Sequence, residues 1–202
     1  MKTIIAVIFF GITYAFADTA EAVEPLVYGK KVCQNDNLDG LVNLDSKKFF
    51  NGTWYLTYAT ESTRVTKSTI CRDFEPKIES GKIVVTYGYY ENGGKVNHYD
   101  VSCSGIQNTT RPDIFNFDCN SNNERGETTQ FHIDGSFLAT DYNNFGVVYR
   151  CVTTNAPLVE DNVFIIHRQK EPKEEDVKKY VEHYGLTMDK FISRKDATCT
   201  NK

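Results

Sequence analysis

The sequence has few of the residues that catalysis and metal binding require. Its 202 residues include only four histidines, and neither a His-Glu-x-x-His nor a Cys-x-x-Cys spacing occurs. It also lacks the Gly-x-Ser-x-Gly elbow of serine hydrolases and the glycine-rich loop that binds phosphates. These absences predict a protein that is not an enzyme and holds no metal ion. A hydrolase with two paired carboxylates stays open, since such a pair leaves no local spacing pattern.

Long hydrophobic runs are absent beyond the first 17 residues. Within Met1–Ala17, a lysine precedes the apolar run Ile4–Ile12, and the small-x-small tripeptide Ala15-Phe16-Ala17 follows it. This pattern is typical of a cleaved export signal and is too short to span a bilayer. We therefore predict a secreted chain with a single domain over residues 18–202. Its net charge of −4 gives it no electrostatic reason to bind nucleic acid or a membrane surface.

The number of cysteines is even. All six follow the export signal, and an even number in a secreted chain predicts three disulfides. Six cysteines allow 15 pairings, and the spacing alone does not choose among them. Two Asn-x-Thr sequons, at Asn51 and Asn108, predict a glycoprotein. Asn108 is the preferred acceptor, because Asn51 stands at the entry to a predicted strand.

Strand-like runs fill the chain from residue 53 onward. They are rich in β-branched and aromatic residues, and turn signals such as Asn92-Gly93-Gly94 separate them. About eight strands with short connections favour a closed antiparallel barrel, from about Gly52 to Gln169, over a parallel α/β sheet. A β-sandwich is the competing architecture. The predicted runs cover residues 54–58, 70–74, 82–90, 95–106, 113–119, 127–134 with 136–140, 145–153 and 162–169.

A charged segment follows the strands. Apolar residues recur at helical spacing in residues 173–184, so we predict a helix there, and Gly185 suits its end. Thr187 suits the start of a second short helix that runs through Ile192. A cysteine-bearing tail then continues to residue 202.

A single tryptophan marks the entry to the first strand. Trp54 stands two residues after Gly52, which allows a sharp turn into the strand. Further segments share an order and spacing with one group of proteins: residues 48–55 (KFFNGTWY), 70–72 (ICR), 99–102 (YDVS), 139–142 (ATDY), 149–151 (YRC) and 190–193 (KFIS). On these segments the chain resembles the triabin-like salivary lipocalins of blood-feeding triatomine bugs, within the calycin superfamily. The resemblance runs from about Cys33 to Cys199.

The resemblance implies an eight-stranded antiparallel lipocalin barrel that holds a ligand inside, with Trp54 plugging the closed end. It also implies a monomer that is secreted into saliva and impairs host haemostasis. The disulfides that it implies are Cys33–Cys151, Cys71–Cys199 and Cys103–Cys119.

Strand parity and the resemblance together give candidates for the ligand cavity. If Trp54 faces inward, alternate residues of the first strand do so too, and the same reasoning extends to the later strands. Alignment to the haem-binding members of the family sets the parity of the run at 82–90. The cavity candidates are Leu56, Tyr58, Ile70, Arg72, Gly88, Tyr90, His98 and Phe117.

Haem is the ligand of the nitrophorins, one branch of the family that the chain resembles. In that branch a histidine between two tyrosines binds the iron. This chain has Tyr87-Gly88-Tyr89 at the corresponding point, and glycine offers no ligand. We therefore predict that the protein binds no haem and needs no cofactor.

Two classes of function fit the resemblance. The first is sequestration of a small hydrophobic or anionic host mediator, with an eicosanoid such as thromboxane as first choice, which would inhibit platelet aggregation. An inward Arg72 would bind the carboxylate of that ligand. The second is inhibition of a coagulation or contact-system protein, such as thrombin, by surface loops.

A scavenger of biogenic amines or nucleotides ranks lower. An amine needs inward acids, of which parity offers only Asp100, and a nucleotide needs more cationic groups. The interior distinguishes the two leading classes. An open cavity on the order of a few hundred Å³ favours a ligand binder. An interior filled by Tyr58, Tyr90 and Phe117 favours a surface function.

Overall fold

A computed structural model describes residues 32–91, 97–155 and 158–199. Its barrel strands are β1 Trp54–Thr60, β2 Asp73–Glu79, β3 Lys82–Tyr90, β4 His98–Gln107, β5 Ile114–Asn123, β6 Thr128–Thr140, β7 Phe145–Thr154 and β8 Val159–His167. All neighbours are antiparallel, and β1 closes the sheet by pairing with both β2 and β8. The predicted closed barrel is therefore confirmed over the sandwich. The export signal and the turn at Asn92-Gly93-Gly94 lie outside the described residues.

The second strand begins later than the sequence predicts. The run at 70–74 is expected to be a strand, whereas β2 starts at Asp73. Just before it, the backbone N–H of Thr66 donates to Thr69 Oγ1 (2.9 Å), and that hydroxyl donates to the carbonyl of Arg64 (3.0 Å). Such side-chain bonds to nearby backbone compete with a strand ladder. The stretch is therefore a loop.

A bulge in β1 changes which side chains face inward. The register of β1 against β8 shifts between Leu56 and Tyr58, so the strict alternation of the strand is broken there. Thr57, at the shift, donates its hydroxyl to the carbonyl of Ile165 (3.0 Å). Parity counted from Trp54 therefore holds as far as Leu56 and fails beyond it.

Two apolar clusters lie on opposite faces of the barrel wall. The interior cluster includes Trp54, Leu56, Ile83, Val101, Phe115, Phe117, Phe137 and Phe164. The outer cluster lies between β6–β8 and a helix, α2, which spans Glu175–His183 and buries Val177 and Val181 completely. The helix predicted over residues 173–184 is thus confirmed, packed outside the barrel. No helix among the described residues is long and apolar enough to cross a membrane.

The chain after α2 forms a strand where the sequence predicts a second helix. Met188–Lys190 is one 3-10 turn, and Phe191–Ser193 forms strand β9, which pairs with the end of β1. The helix prediction through Ile192 is wrong, because the end of β1 offers backbone hydrogen bonds that extended residues can use.

The three disulfides are those that the family resemblance implies. Cys33–Cys151 fastens the N-terminal arm to β7, and Cys71–Cys199 ties the loop before β2 to the tail. Cys103–Cys119 joins β4 to β5 and belongs to the interior cluster. The two long-range bridges close loops of 118 and 128 residues, so each restricts the unfolded chain strongly.

Candidate functional site

Aromatic rings seal the closed end of the barrel. The short helix α1, Ser46–Phe49, is capped by the carboxylate of Asp45. It places Phe49 against Trp54, with ring centroids 4.9 Å apart, and the indole N–H donates to the carbonyl of Phe49 (2.8 Å). The guanidinium of Arg168 covers the indole at 3.5 Å from its centroid. Trp54 is 1% exposed and lies where the sequence reasoning puts the plug.

The opposite end of the barrel, its mouth, is closed by the residues that join β1 to β2, named here the mouth segment (residues 61–72). Val65 and Ile70 of this segment are fully buried and belong to the interior cluster. Cys71 ties its end to the C-terminal tail. Ile70 therefore lies inside, as its parity predicts, but as part of a plug and not of a strand.

Arg72 points into the mouth. Its side chain is 1% exposed and lies over two interior tyrosines, 4.2 Å from the ring centroid of Tyr89 and 5.6 Å from that of Tyr87. Its Nε donates to the carbonyl of Thr69 (3.0 Å), and its Nη2 donates to the carbonyl of Arg64. The sequence placed Arg72 inside, and here its hydrogen bonds go to backbone carbonyls.

Three arginines and one glutamate form what we name the arginine cluster (Arg64, Arg72, Arg150 and Glu160). The Nη2 of Arg150 and the Nε of Arg64 each lie 3.3 Å from Glu160 Oε1. Burial lowers the pKa of Arg150 to about 10, attraction to Glu160 opposes this, and repulsion from Arg72 and Arg64 adds to it. A pKa of about 10 leaves Arg150 charged at neutral pH. Among the described residues, the ion pairs of this cluster use a single carboxylate.

Each arginine of the cluster also stacks on an interior aromatic ring. Arg150 lies 4.8 Å from the centroid of Phe164, and Arg64 lies 4.9 Å from that of Phe131. Cation–π contacts of this kind strengthen when water is excluded. They stabilise the guanidinium groups without neutralising their charge, so the arginine cluster keeps an excess of positive charge.

The sequence reasoning missed Arg64, Arg150 and Glu160. One signal was available for Arg150: it occupies the parity of Val148 and Val152 in β7, both of which pack in the interior cluster. A charged residue in phase with inward apolar positions indicates a functional interior. No comparable pattern marks Arg64, because it lies in a loop.

Below the arginine cluster lies an apolar cavity of about 110 Å³. Arg150 contributes its charged wall, and Leu56 is fully buried in the surrounding interior cluster. The cavity is smaller than a free drug-sized site, so a larger ligand requires the mouth segment to move. Its apolar lining includes Phe49, Phe50, Trp54, Phe117, Ile133, Phe137, Val148 and Phe164.

Tyr58 does not face the cavity. Because β1 bulges after Leu56, the Tyr58 side chain packs in the outer cluster against α2. Burial there raises the pKa of its phenol, and Glu174 and Glu175 add to the shift. The prediction that Tyr58 lines the interior is therefore wrong.

Gly88, Tyr90 and His98 also lie outside the barrel. In β3 the interior cluster includes Ile83 and packs against Tyr87 and Tyr89, so the even positions face outward. The His98 ring covers Gly88 so closely that a Cβ there would meet its Cε1 at 2.7 Å. These outward residues line a polar groove of about 590 Å³. Their inward assignment was wrong because both faces of β3 carry aromatic or β-branched residues.

The outward position of Gly88 removes the reason given above for excluding haem. Gly88 faces away from the interior, so its lack of an imidazole says nothing about the cavity. The inward residues at this point of β3 are Tyr87 and Tyr89, which pack against Arg72. That the protein binds no haem stays a prediction. Among the described residues, no group of three metal-ligating side chains occurs.

Both glycosylation sequons lie at the closed end of the barrel. Asn51 is exposed between α1 and β1. Asn108 is half-buried in the turn after β4, where its Oδ1 accepts from the hydroxyl of Thr110 (2.8 Å) and its Nδ2 donates to Asn116 (3.0 Å). Neither position contacts the arginine cluster, and the use of either sequon stays a prediction.

Known proteins are similar to this chain in sequence and in fold. From Triatoma infestans, triafestin-2 is 32% identical over 97% of this chain and 92% of its own length, and triafestin-1 is 34% identical over 84% and 79%. From the same species, platelet inhibitor triplatin-2 is 26% identical over 98% and 100%.

Two solved structures share the barrel. The tryptamine complex of the amine-binding protein of Rhodnius prolixus superposes with a TM-score of 0.63 at 19% identity, over 78% of this chain and 84% of that one. A variant of LTBP1 in complex with leukotriene C4 superposes with a TM-score of 0.55 at 22% identity, over 79% and 90%. At these identities the likeness concerns the fold.

The family assignment rests on sequence as well as on fold. The Triabin family model matches residues 27–180, which include the barrel strands, the bridge Cys33–Cys151 and the start of α2. Together with relatives above 30% identity over most of its length, this match shows that the chain belongs to the Triabin family.

Proposed function

We propose that this protein is a secreted salivary binder that sequesters a small anionic amphiphile of the host, with an eicosanoid such as thromboxane as first choice. It would thereby inhibit platelet aggregation and impair haemostasis, with no catalytic step. The observation that carries the proposal is the arginine cluster above the aromatic cavity. An apolar chain suits the cavity, and an acidic headgroup suits the cluster.

Charge is the first argument. Burying a charge without a partner is costly. Of the three guanidinium groups, those of Arg64 and Arg150 share the carboxylate of Glu160, and that of Arg72 has only backbone carbonyls as hydrogen-bond acceptors. A ligand carboxylate or phosphate would supply the missing negative charge and could accept two parallel N–H bonds from one arginine. A cationic amine would add to the repulsion. Asp100, the acid that strand parity offers as a partner for an amine, lies on the outer face of β4 and is 69% exposed.

The relatives support the same class of function. One relative is named a platelet inhibitor, and one solved structure of this fold holds leukotriene C4, an anionic eicosanoid. The amine-binding protein of Rhodnius prolixus keeps the amine alternative open for the family. In this chain the positive charge of the mouth favours the anion.

Calorimetry with a stable thromboxane mimetic, leukotriene C4, tryptamine, ADP and haem tests the proposal. We expect an eicosanoid to bind stoichiometrically, and Arg72→Ala to weaken that binding by roughly 2–5 kcal/mol because the buried anion loses a partner. Arg72→Lys should restore part of it, since a point charge replaces a planar fork. Arg125→Ala is the matched control, because it removes an exposed cation after β5.

The second candidate is a surface-loop inhibitor of a coagulation or contact-system protein. The small cavity and the buried mouth segment favour it, because the interior has little free space as it stands. Clotting of plasma distinguishes the two. If the wild type binds no member of the panel and still prolongs clotting, the surface inhibitor is the function and the eicosanoid proposal is wrong.

A further inference from the structure

Glu160 holds the mouth segment shut. Its Oε2 accepts the backbone N–H of Arg64 (3.2 Å), and its Oε1 lies 3.3 Å from the Nε of the same residue. The same Oε1 lies 3.3 Å from Nη2 of Arg150 in the barrel wall. One carboxylate thus joins the segment, through both its backbone and its side chain, to β7. The Glu160 side chain is 6% exposed, so water screens these contacts poorly.

The bond between Glu160 and Arg64 is incomplete. The Nε–H of Arg64 is buried and makes no hydrogen bond of good geometry within the described part of the chain. A buried donor left in this state costs free energy, which a better-placed acceptor would recover. The segment is therefore held by contacts that another acid could replace.

Glu160 binds the same donors that an acidic group of a ligand in the cavity would reach. Arg150 lines the apolar cavity, so its guanidinium stands between the cavity and the mouth segment. An acidic group attached to an apolar tail in the cavity would meet Arg150 first. There it would compete with Glu160 for the same donors.

We propose that Glu160 is a latch: it takes the place of the ligand's acidic group, and a carboxylate that enters while the mouth segment is open replaces it on Arg150 and Arg64 and so keeps the latch from re-forming. This inference rests on the proposed function and adds its regulation. It identifies Glu160 as the residue that sets the threshold for binding, because the open form must be populated before the ligand enters. An uncharged ligand of the same shape cannot displace it.

The latch itself is tested without ligand. Hydrogen exchange of the amides in residues 64–70 should be about tenfold faster in Glu160→Gln than in the wild type, because charge-assisted bonds are lost. Arg64→Gln keeps the pair of Glu160 with Arg150 and the backbone bond of residue 64 to Glu160, so it should show a smaller increase in the same direction. This variant covers the case that the first one folds poorly. Glu124→Gln, an exposed acid at the same end of the barrel, is the control. Unchanged exchange in both variants would overturn the latch.

Competition is tested with cis-parinaric acid and its methyl ester, followed by fluorescence. We expect Glu160→Gln to bind the acid about tenfold more tightly than the wild type, since the competing carboxylate is gone, and to bind the ester with a much smaller change. Glu124→Gln should leave both affinities unchanged. Equal or weaker binding of the acid by Glu160→Gln would overturn the competition. If no protein binds cis-parinaric acid, the competition fails and hydrogen exchange alone decides the latch, while calorimetry with the eicosanoids decides the proposed function.

Discussion

The two ends of the barrel both place arginines on aromatic rings, yet they satisfy the charge in different ways. At the closed end, Arg168 lies over Trp54 and donates to backbone carbonyls, among them that of Thr53 (3.1 Å). At the mouth, Arg64 and Arg150 share one side-chain carboxylate. The backbone carbonyls around Arg168 belong to the closed end and stay in place, whereas by our proposal the carboxylate that Arg64 and Arg150 share can be exchanged for that of a ligand. Stacking on a ring does not by itself distinguish a supporting arginine from a binding one.

The largest expected effect lies at the closed end. Trp54→Ala should lower the free energy of unfolding by about 3–5 kcal/mol, because it removes the largest buried ring and leaves a cavity. Guanidinium chloride denaturation measures the change. Trp54→Phe keeps a ring against Phe49 and should lose clearly less. A loss below about 1 kcal/mol for the alanine variant would show that the plug is dispensable.

A pair of matched variants tests the contrast between the two ends directly. Arg168→Met should lose about 2–3 kcal/mol of stability, since several carbonyls lose their charged donor. Arg150→Met should lose less, about 1–2 kcal/mol: an apolar group replaces a buried ion and Glu160 keeps Arg64, but the buried Oδ1 of Asn162 loses its donor. Anion binding should be weakened more by Arg150→Met than by Arg168→Met. Equal losses of stability in the two variants would contradict the contrast.

A smaller effect concerns pH at the closed end. Burial lowers the pKa of His167 from the ordinary 6.5 to about 4; its Nδ1 lies 2.7 Å from the hydroxyl of Thr57. The folded imidazole therefore resists protonation, and the free energy of unfolding falls as the pH drops from about 6.5 towards about 4. At pH 5 the loss should be about 2 kcal/mol.

His167→Asn should remove this slope, measured as unfolding midpoints between about pH 7 and pH 4.5. His183→Gln, which removes an exposed imidazole from α2, should keep it. Burial lowers the pKa of Arg150 only to about 10, well above this range, so binding of an anion should change less with pH than stability does. A wild type whose stability is flat over the range would show that His167 protonates freely.

The sequence predicts the barrel and α2 well because their signals are local and redundant. The run at 82–90 coincides with β3, since β-branched and aromatic residues fill it and a turn follows. The same richness makes its faces ambiguous: Tyr87, Tyr89 and Tyr90 sit on both parities, so only the packed sheet decides which point inward. Sequence periodicity does not indicate which face of a strand points inward when both faces carry similar residue types.

The candidate site is predictable only in part. Ile70 and Arg72 are placed inside by sequence reasoning, although the loop that carries them is not. A bulge leaves no mark in the sequence of β1, so Tyr58 is placed on the wrong face. Glu160 pairs with Arg64 across 96 residues of chain, and no local pattern encodes a contact at such separation.

The buried mouth segment would slow the entry and the release of a ligand. Val65 and Ile70 are fully buried, so if a ligand enters as we propose, they leave the interior first, and the rate at which the segment opens would limit both association and dissociation. The segment is anchored at one end by β1 and at the other by the disulfide from Cys71 to the tail. A mediator captured behind it would have a long residence time. Such a protein would remove one mediator molecule for each protein molecule. Its potency would therefore depend more on its local concentration than on its association rate.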